Sequence, residues 1–128
     1  MDRDENILLT ENGDEKLYDL SVIETFCHGN QNAVKEMIAV FIDEVSRFGE
    51  EIRLACGKND YVNIKKLTHK IKPVISYCGV TKIENEIKLI DTLADKENVS
   101  GELIFRMEKL ETMIKAVVAQ MNKSVLNA

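Results

Sequence analysis

Asp60-Tyr61-Val62-Asn63-Ile64-Lys65-Lys66-Leu67-Thr68-His69-Lys70-Ile71-Lys72-Pro73-Val74-Ile75-Ser76-Tyr77-Cys78 is the stretch on which the fold turns. At about 100° per residue, Ile64, Leu67, Val74, Ile75 and Cys78 all fall within about 60° of Ile71, so one face of a helix is apolar throughout. Asp60 stands at the N-cap position, and Gly79 follows where a C′ glycine is expected. The stretch therefore predicts a helix from about Asp60 to Cys78. His69 falls about 160° from Ile71, on the solvent side.

Working outward, Gly29, Gly57, Gly79 and Gly101 lie between segments of helical periodicity, while Gly49 lies inside one. A short helix is predicted from about Leu20 to Cys27, with Asp19 or Ser21 as its cap. Asn30 then caps a long helix to about Cys56, in which Val34, Ile38, Phe41, Val45, Phe48, Ile52 and Ala55 recur at steps of 3 or 4. A further helix from about Thr81 to Ala94 carries Ile83, Ile87, Ile90 and Leu93, and Asp95 to Val99 read as a charged loop. Ser100 caps the last helix, whose stripe is Leu103, Met107, Leu110, Ile114, Val117 and Met121. Four long amphipathic helices on short loops predict an all-α fold, an up-down antiparallel four-helix bundle with a short extra N-terminal helix. Residues 1–16 read as a polar, flexible lead-in and 17–123 as the bundle.

Composition agrees and excludes other classes. At 128 residues and 45% hydrophobic, the chain suits one domain with a real core. One proline and no tryptophan fit helices better than a turn-rich β-sandwich. No run approaches the roughly 18 apolar residues of a membrane span, and Met1-Asp2-Arg3-Asp4-Glu5 has no signal-peptide character, so a cytoplasmic domain is expected. Cys27, Cys56 and Cys78 are odd in number and unpaired in spacing, which predicts buried, reduced thiols and neither a disulfide framework nor a metal site. A net charge of −5 argues against a general nucleic-acid binder.

Against that acidic balance, the residues from Lys58 to Lys72 hold five lysines and the single acid Asp60, a local +4 that leaves −9 for the rest. On the helix, the neighbours of His69 are Lys66 and Lys72, Lys65 and Pro73, and Val62 and Ser76. An exposed imidazole is a nucleophile when neutral, and adjacent ammonium groups both favour that form and can hold a phosphoryl group. Phosphoryl transfer rests mainly on positioning and charge stabilisation, to which Lys72 can contribute.

Thr68-His69-Lys70-Ile71-Lys72, followed by Gly79 ten residues after the histidine and by Val80, Ile83, Ile87 and Ile90, resembles the histidine-containing phosphotransfer (HPt) family of two-component phosphorelays. Tyr18-Asp19-Leu20-Ser21, the Gly29-Asn30 turn and the stretch from Glu36-Met37-Ile38 to Phe41-Ile42 share in the likeness, which covers Tyr18 to about Val118. The resemblance implies a phosphoacceptor at His69 and a phosphate-stabilising lysine at Lys72. It implies a carrier with no ATP site and no cofactor of its own, exchanging a phosphoryl group with aspartyl residues of receiver domains, free or within a hybrid sensor kinase. The receiver would hold the metal needed for exchange. The expected partner surface is Val62, Lys65, Lys66, Pro73 and Ser76 around His69, on a monomeric domain with neither nucleic acid nor membrane as partner.

The sequence departs from the family pattern four residues after the histidine, where glycine is usual and Pro73 stands. Proline cannot donate to the carbonyl of His69, which predicts a kink or local widening, although, like glycine, it keeps long side chains off the imidazole. Val74 and Ile75 replace small residues and are expected to face inward.

Rival sites are weaker. His28 sits in a Gly-Asn turn with only Cys27 beside it, too few ligands for a metal. Asp43-Glu44 and Glu50-Glu51 lie on a polar helix face, and no phosphate-cradling glycine loop or Ser/Cys nucleophile motif is present. The competing reading is a helical protein-interaction module of the same fold without phosphotransfer.

Overall fold

The computed structural model describes residues 15–96 and 100–127. The described residues are helical without strands: α1 (Ser21–Phe26), α2 (Gln31–Gly57), α3 (Tyr61–Tyr77), α4 (Thr81–Lys96) and α5 (Ser100–Met121), followed by a π-helical turn (Asn122–Leu126). Among the described residues, no helix is long and apolar enough to cross a membrane.

Local chemistry sets the boundaries. The Asn30 side chain accepts from the Ala33 amide at 3.1 Å to start α2, and Asp60 accepts from Asn63 at 3.2 Å to start α3. At α1, Asp19 receives the Ser21 amide at 2.9 Å and the Ser21 hydroxyl at 2.5 Å, and the hydroxyl bond first, then the amide bond, holds its carboxyl below the usual range. The expected loop beginning at Asp95 is corrected: α4 continues to Lys96. The reason is an ion pair from Lys65 Nζ to Asp95 Oδ1 at 2.9 Å, which rewards another turn of helix. The rest of that loop, and the capping side chain of Ser100, lie outside the described residues, as do residues 1–14 of the lead-in.

In this arrangement α2 packs on α3 and α5, α4 packs on the same two helices, and α1 lies against α2. All the stripe residues expected on α2, α4 and α5 are buried, and Ile38, Ile52, Ile64, Ile75, Ile83, Ile90, Leu103 and Leu110 have no exposed surface. Each such isoleucine or leucine contributes about 2 kcal/mol on the area scale. Cys56 and Cys78 are buried, and burial pushes their thiols up to about 11 and about 12; Cys27 is only half-buried, 3.6 Å from Met37 Sδ. One buried carboxylate, Glu86, joins α4 to α5 through Arg106 Nη1 at 3.4 Å.

The α3–α4 corner is held from outside. Asp19 donates its amide to the Cys78 carbonyl at 2.9 Å, and Leu17 donates to Gln120 Oε1 at 2.8 Å, so residues 15–20 form a strap across this end. Gly79 has φ +58°, and a Cβ there would lie 2.7 Å from Asp19 Cβ and 2.9 Å from its carbonyl oxygen. Conformation and proximity both demand glycine at this corner.

Candidate functional site

Helix α3 carries the site, and its buried face is turned from the one expected. Ile64, Thr68, Ile71 and Ile75 are buried together with Cys78, whereas Leu67 and Val74 are half-buried. The face therefore centres roughly 20° from Ile71 toward Thr68. Thr68 can be fully buried because its hydroxyl is satisfied, 2.9 Å from Asp91 Oδ1 and 3.0 Å from the Lys65 carbonyl.

That rotation brings His69 toward α4. Its side chain is 60% exposed, as expected for a surface histidine, yet Nε2 lies 3.5 Å from Asp91 Oδ1. The cation-ringed environment read from the sequence needs correction: a carboxylate is in contact with the imidazole. Asp91 is 18% exposed and receives Lys65 Nζ at 3.2 Å as well as Thr68. Burial pushes its carboxyl up, but the hydrogen bonds from Thr68 and Lys65, with the charges of Lys65 and His69, bring it below the usual carboxylate range.

Lys65 is correspondingly withdrawn from the expected partner surface. Asp95 at 2.9 Å and Asp91 at 3.2 Å hold it against α4. The hydrogen bond to Asp95 chiefly, then that to Asp91, outweighs partial desolvation and keeps its ammonium charged to higher pH than an ordinary lysine. Lys66 is exposed and Lys72, one turn beyond His69, is half-buried. Val62 is 68% exposed, Pro73 is exposed, and Ser76 donates to Glu84 Oε2 at 3.4 Å. Helix α3 runs continuously through Pro73 to Tyr77. His28 is an exposed turn residue with φ 52°, away from any cluster; among the described residues no three His, Cys, Asp or Glu converge as metal ligands.

On the other flank of α3, toward α2, the surface is apolar and open. A groove of about 420 Å³ is lined by Ile23, Met37, Val40, Phe41, Val74 and Tyr77, with Glu36 and Glu44 at its rim. Val40 and Tyr77 are more than half exposed, as are Val22 and Phe26 on α1.

Two features were missed in the sequence. Asp91 carried a faint signal: it follows Ile90 and lies about 100° from it, at the border of the apolar stripe, with Asp95 one turn later on the same side. The groove carried less, because Val40 and Tyr77 are single apolar residues on otherwise polar faces. Comparison with family models, with curated proteins and with solved structures finds no match to this chain.

Proposed function

We propose that this protein is a phosphohistidine carrier, taking a phosphoryl group from an aspartyl phosphate of a receiver domain onto His69 and passing it to another receiver. The observation that carries the reading is the placement of His69: an imidazole 60% exposed on the outer face of a helix, with Lys66 and Lys72 within one turn and no bulky neighbour covering it among the described residues. Lys72 is assigned to the phosphate, and Val62, Lys66 and Pro73 to the receiver's approach. The reading includes an up-down antiparallel arrangement of α2 to α5, which their ring of neighbours and the three-residue connections 58–60 and 78–80 support. It also includes a cytoplasmic, monomeric domain without its own ATP site, at work in multistep two-component signalling.

The test is incubation with phosphorylated receivers of the source organism. An acid-labile, alkali-stable phosphate should appear on the wild-type chain and not on His69→Gln, whose folding should stay within about 0.5 kcal/mol of wild type because the side chain is at the surface. A wild-type chain that never takes up label from any of them leaves the second reading, an interaction module. The groove beside Val40 and Tyr77 favours that alternative, since it offers a partner surface whether or not chemistry follows.

A further inference from the structure

We infer that the α4–α5 flank is the docking surface for the chain's own lead-in: Ile7-Leu8-Leu9 seats on the exposed apolar residues Leu89 and Phe105, and the acids around that run meet the cations beside them. The inference is independent of the carrier reading, and it departs from the flexible lead-in expected from composition.

Helix geometry defines the flank. On α4, Glu84 and Asp91 reach α3, whereas Glu86 reaches Arg106 of α5 at 3.4 Å. Lys82, Leu89 and Lys96 lie within about 80° of Glu86, hence on the α5 side. On α5, Lys109, Met113 and Gln120 lie within about 60° of Arg106, hence on the α4 side, and Phe105 stands about 100° from it at the outer edge. Phe105 is 54% exposed and Leu89 43%, a large apolar surface for positions facing solvent. Two cations flank the ring, with the Arg106 guanidinium 5.5 Å and Lys109 Nζ 5.9 Å from its centroid. Arg106 also has donor capacity left, since its buried Nε has no hydrogen-bond partner among the described residues.

The described chain begins at one end of this flank. The Glu15 carbonyl accepts from Gln120 Nε2 at 2.6 Å, and its carboxylate pairs with Lys82 Nζ at 3.5 Å. Met113 and Leu89 are each seven residues further along their helices, about 10 Å away, and Phe105 is about 22 Å from Gln120. Ile7 to Leu9 precede Glu15 by six to eight residues, a reach of at most about 20–26 Å. The apolar patch is within that span.

Charge favours the same surface. Residues 1–14, which lie outside the described residues, hold Asp2, Asp4, Glu5, Glu11 and Asp14 against Arg3 alone. Beyond Lys82 the flank offers Lys96, Arg106 and Lys109, with Glu102 on the same edge. The α2–α3 groove suits this segment less well. Glu36 and Glu44 stand at its rim, and a chain leaving Glu15 for it has to double back past the strap to Cys78. On the α4–α5 flank the lead-in leaves His69 uncovered, because Leu89 is about 160° around α4 from Asp91, the residue in contact with the imidazole.

Nuclear Overhauser spectra of the full chain test the inference. Methyl groups of Ile7, Leu8 or Leu9 should show contacts to the Phe105 ring or the Leu89 methyls, and Leu8→Ser should shift the resonances of both. The reciprocal variant, Phe105→Ser with Lys109→Glu, alters two exposed side chains and should abolish the contacts, returning the three methyl-bearing residues to random-coil shifts. No contact from Ile7 to Leu9 in wild type overturns the inference, as do contacts to Met37, Val40 and Tyr77 in place of Leu89 and Phe105. In a mixture of isotope-labelled and unlabelled chains the contacts should stay within one molecule. Contacts between molecules overturn the proposal and assign the flank to the lead-in of a second copy.

Discussion

The two flanks of α3 are built from the same helix and could hardly be less alike. Toward α4, Thr68, Lys65 and Ser76 reach across to Asp91, Asp95 and Glu84, so the interface is stitched by directional polar contacts. Toward α2, Val74 and Tyr77 border an apolar groove that nothing among the described residues fills. Directional contacts fix an orientation, whereas apolar contact is indifferent to small shifts. The polar flank is thus suited to holding the His69 ring at a set angle, and the apolar flank to meeting a surface that comes and goes. The proposed carrier role, rigid at one atom yet open to more than one partner, would draw on both.

Damage at the Gly79 corner should erase the contrast altogether, because it frees the end of α3 from both flanks. Gly79→Ala forces a side chain into a left-handed turn and onto the Asp19 backbone, and a loss of about 3 kcal/mol is expected in denaturant unfolding. Thr68→Val should strike the polar flank alone. It keeps the shape but removes a hydrogen bond to a carboxylate, costing about 2 kcal/mol by thermal unfolding.

Acid should act on the same flank more gently. The Asp91 carboxyl lies below its ordinary 3.8 in the folded protein, so its contribution to stability is present above that value and is lost as pH falls through the lower folded one. Urea unfolding of wild type against Asp91→Asn should show a gap at pH 7 that narrows at pH about 3. Least visible in stability is Tyr77→Ser on the apolar flank, within about 0.5 kcal/mol because the ring is 55% exposed, yet it should weaken receiver binding measured by calorimetry. A receiver that binds Tyr77→Ser as well as wild type removes the docking role from that flank.

Legibility in the sequence followed the range of the interaction. Asn30 and Asp60 were readable as caps because their partners are three residues away, and Gly79 because a helix end is a local event. The apolar stripes of α2 and α5 were readable from period alone. The tilt of the α3 face was not, since a threonine counts as polar until its partner is known, and Asp91 lies 23 residues from Thr68. The same reason hid Lys65: it belonged to a run of lysines, and only the packing of α3 on α4 reveals two carboxylates waiting for it. The extra turn of α4 went unread because Asp95 earns its helical place through that distant lysine. At Pro73 both the missing amide and the continuation of the helix to the end of the stretch were legible, and α3 runs through the proline to Tyr77.

The strap across the α3–α4 corner has a consequence for the order in which the chain assembles. Consecutive helices from α2 to α5 pack on one another across short connections, which costs little loop entropy at each step, and the contact of α2 with α5 closes the ring over a longer span. The hydrogen bond from Leu17 to Gln120 spans 103 residues and that from Gln120 to the Glu15 carbonyl spans 105. Such links reward the chain only after all four long helices are in place. The strap is therefore a late latch, closing on the corner at the end of the helix that carries His69 once the bundle beneath it is complete.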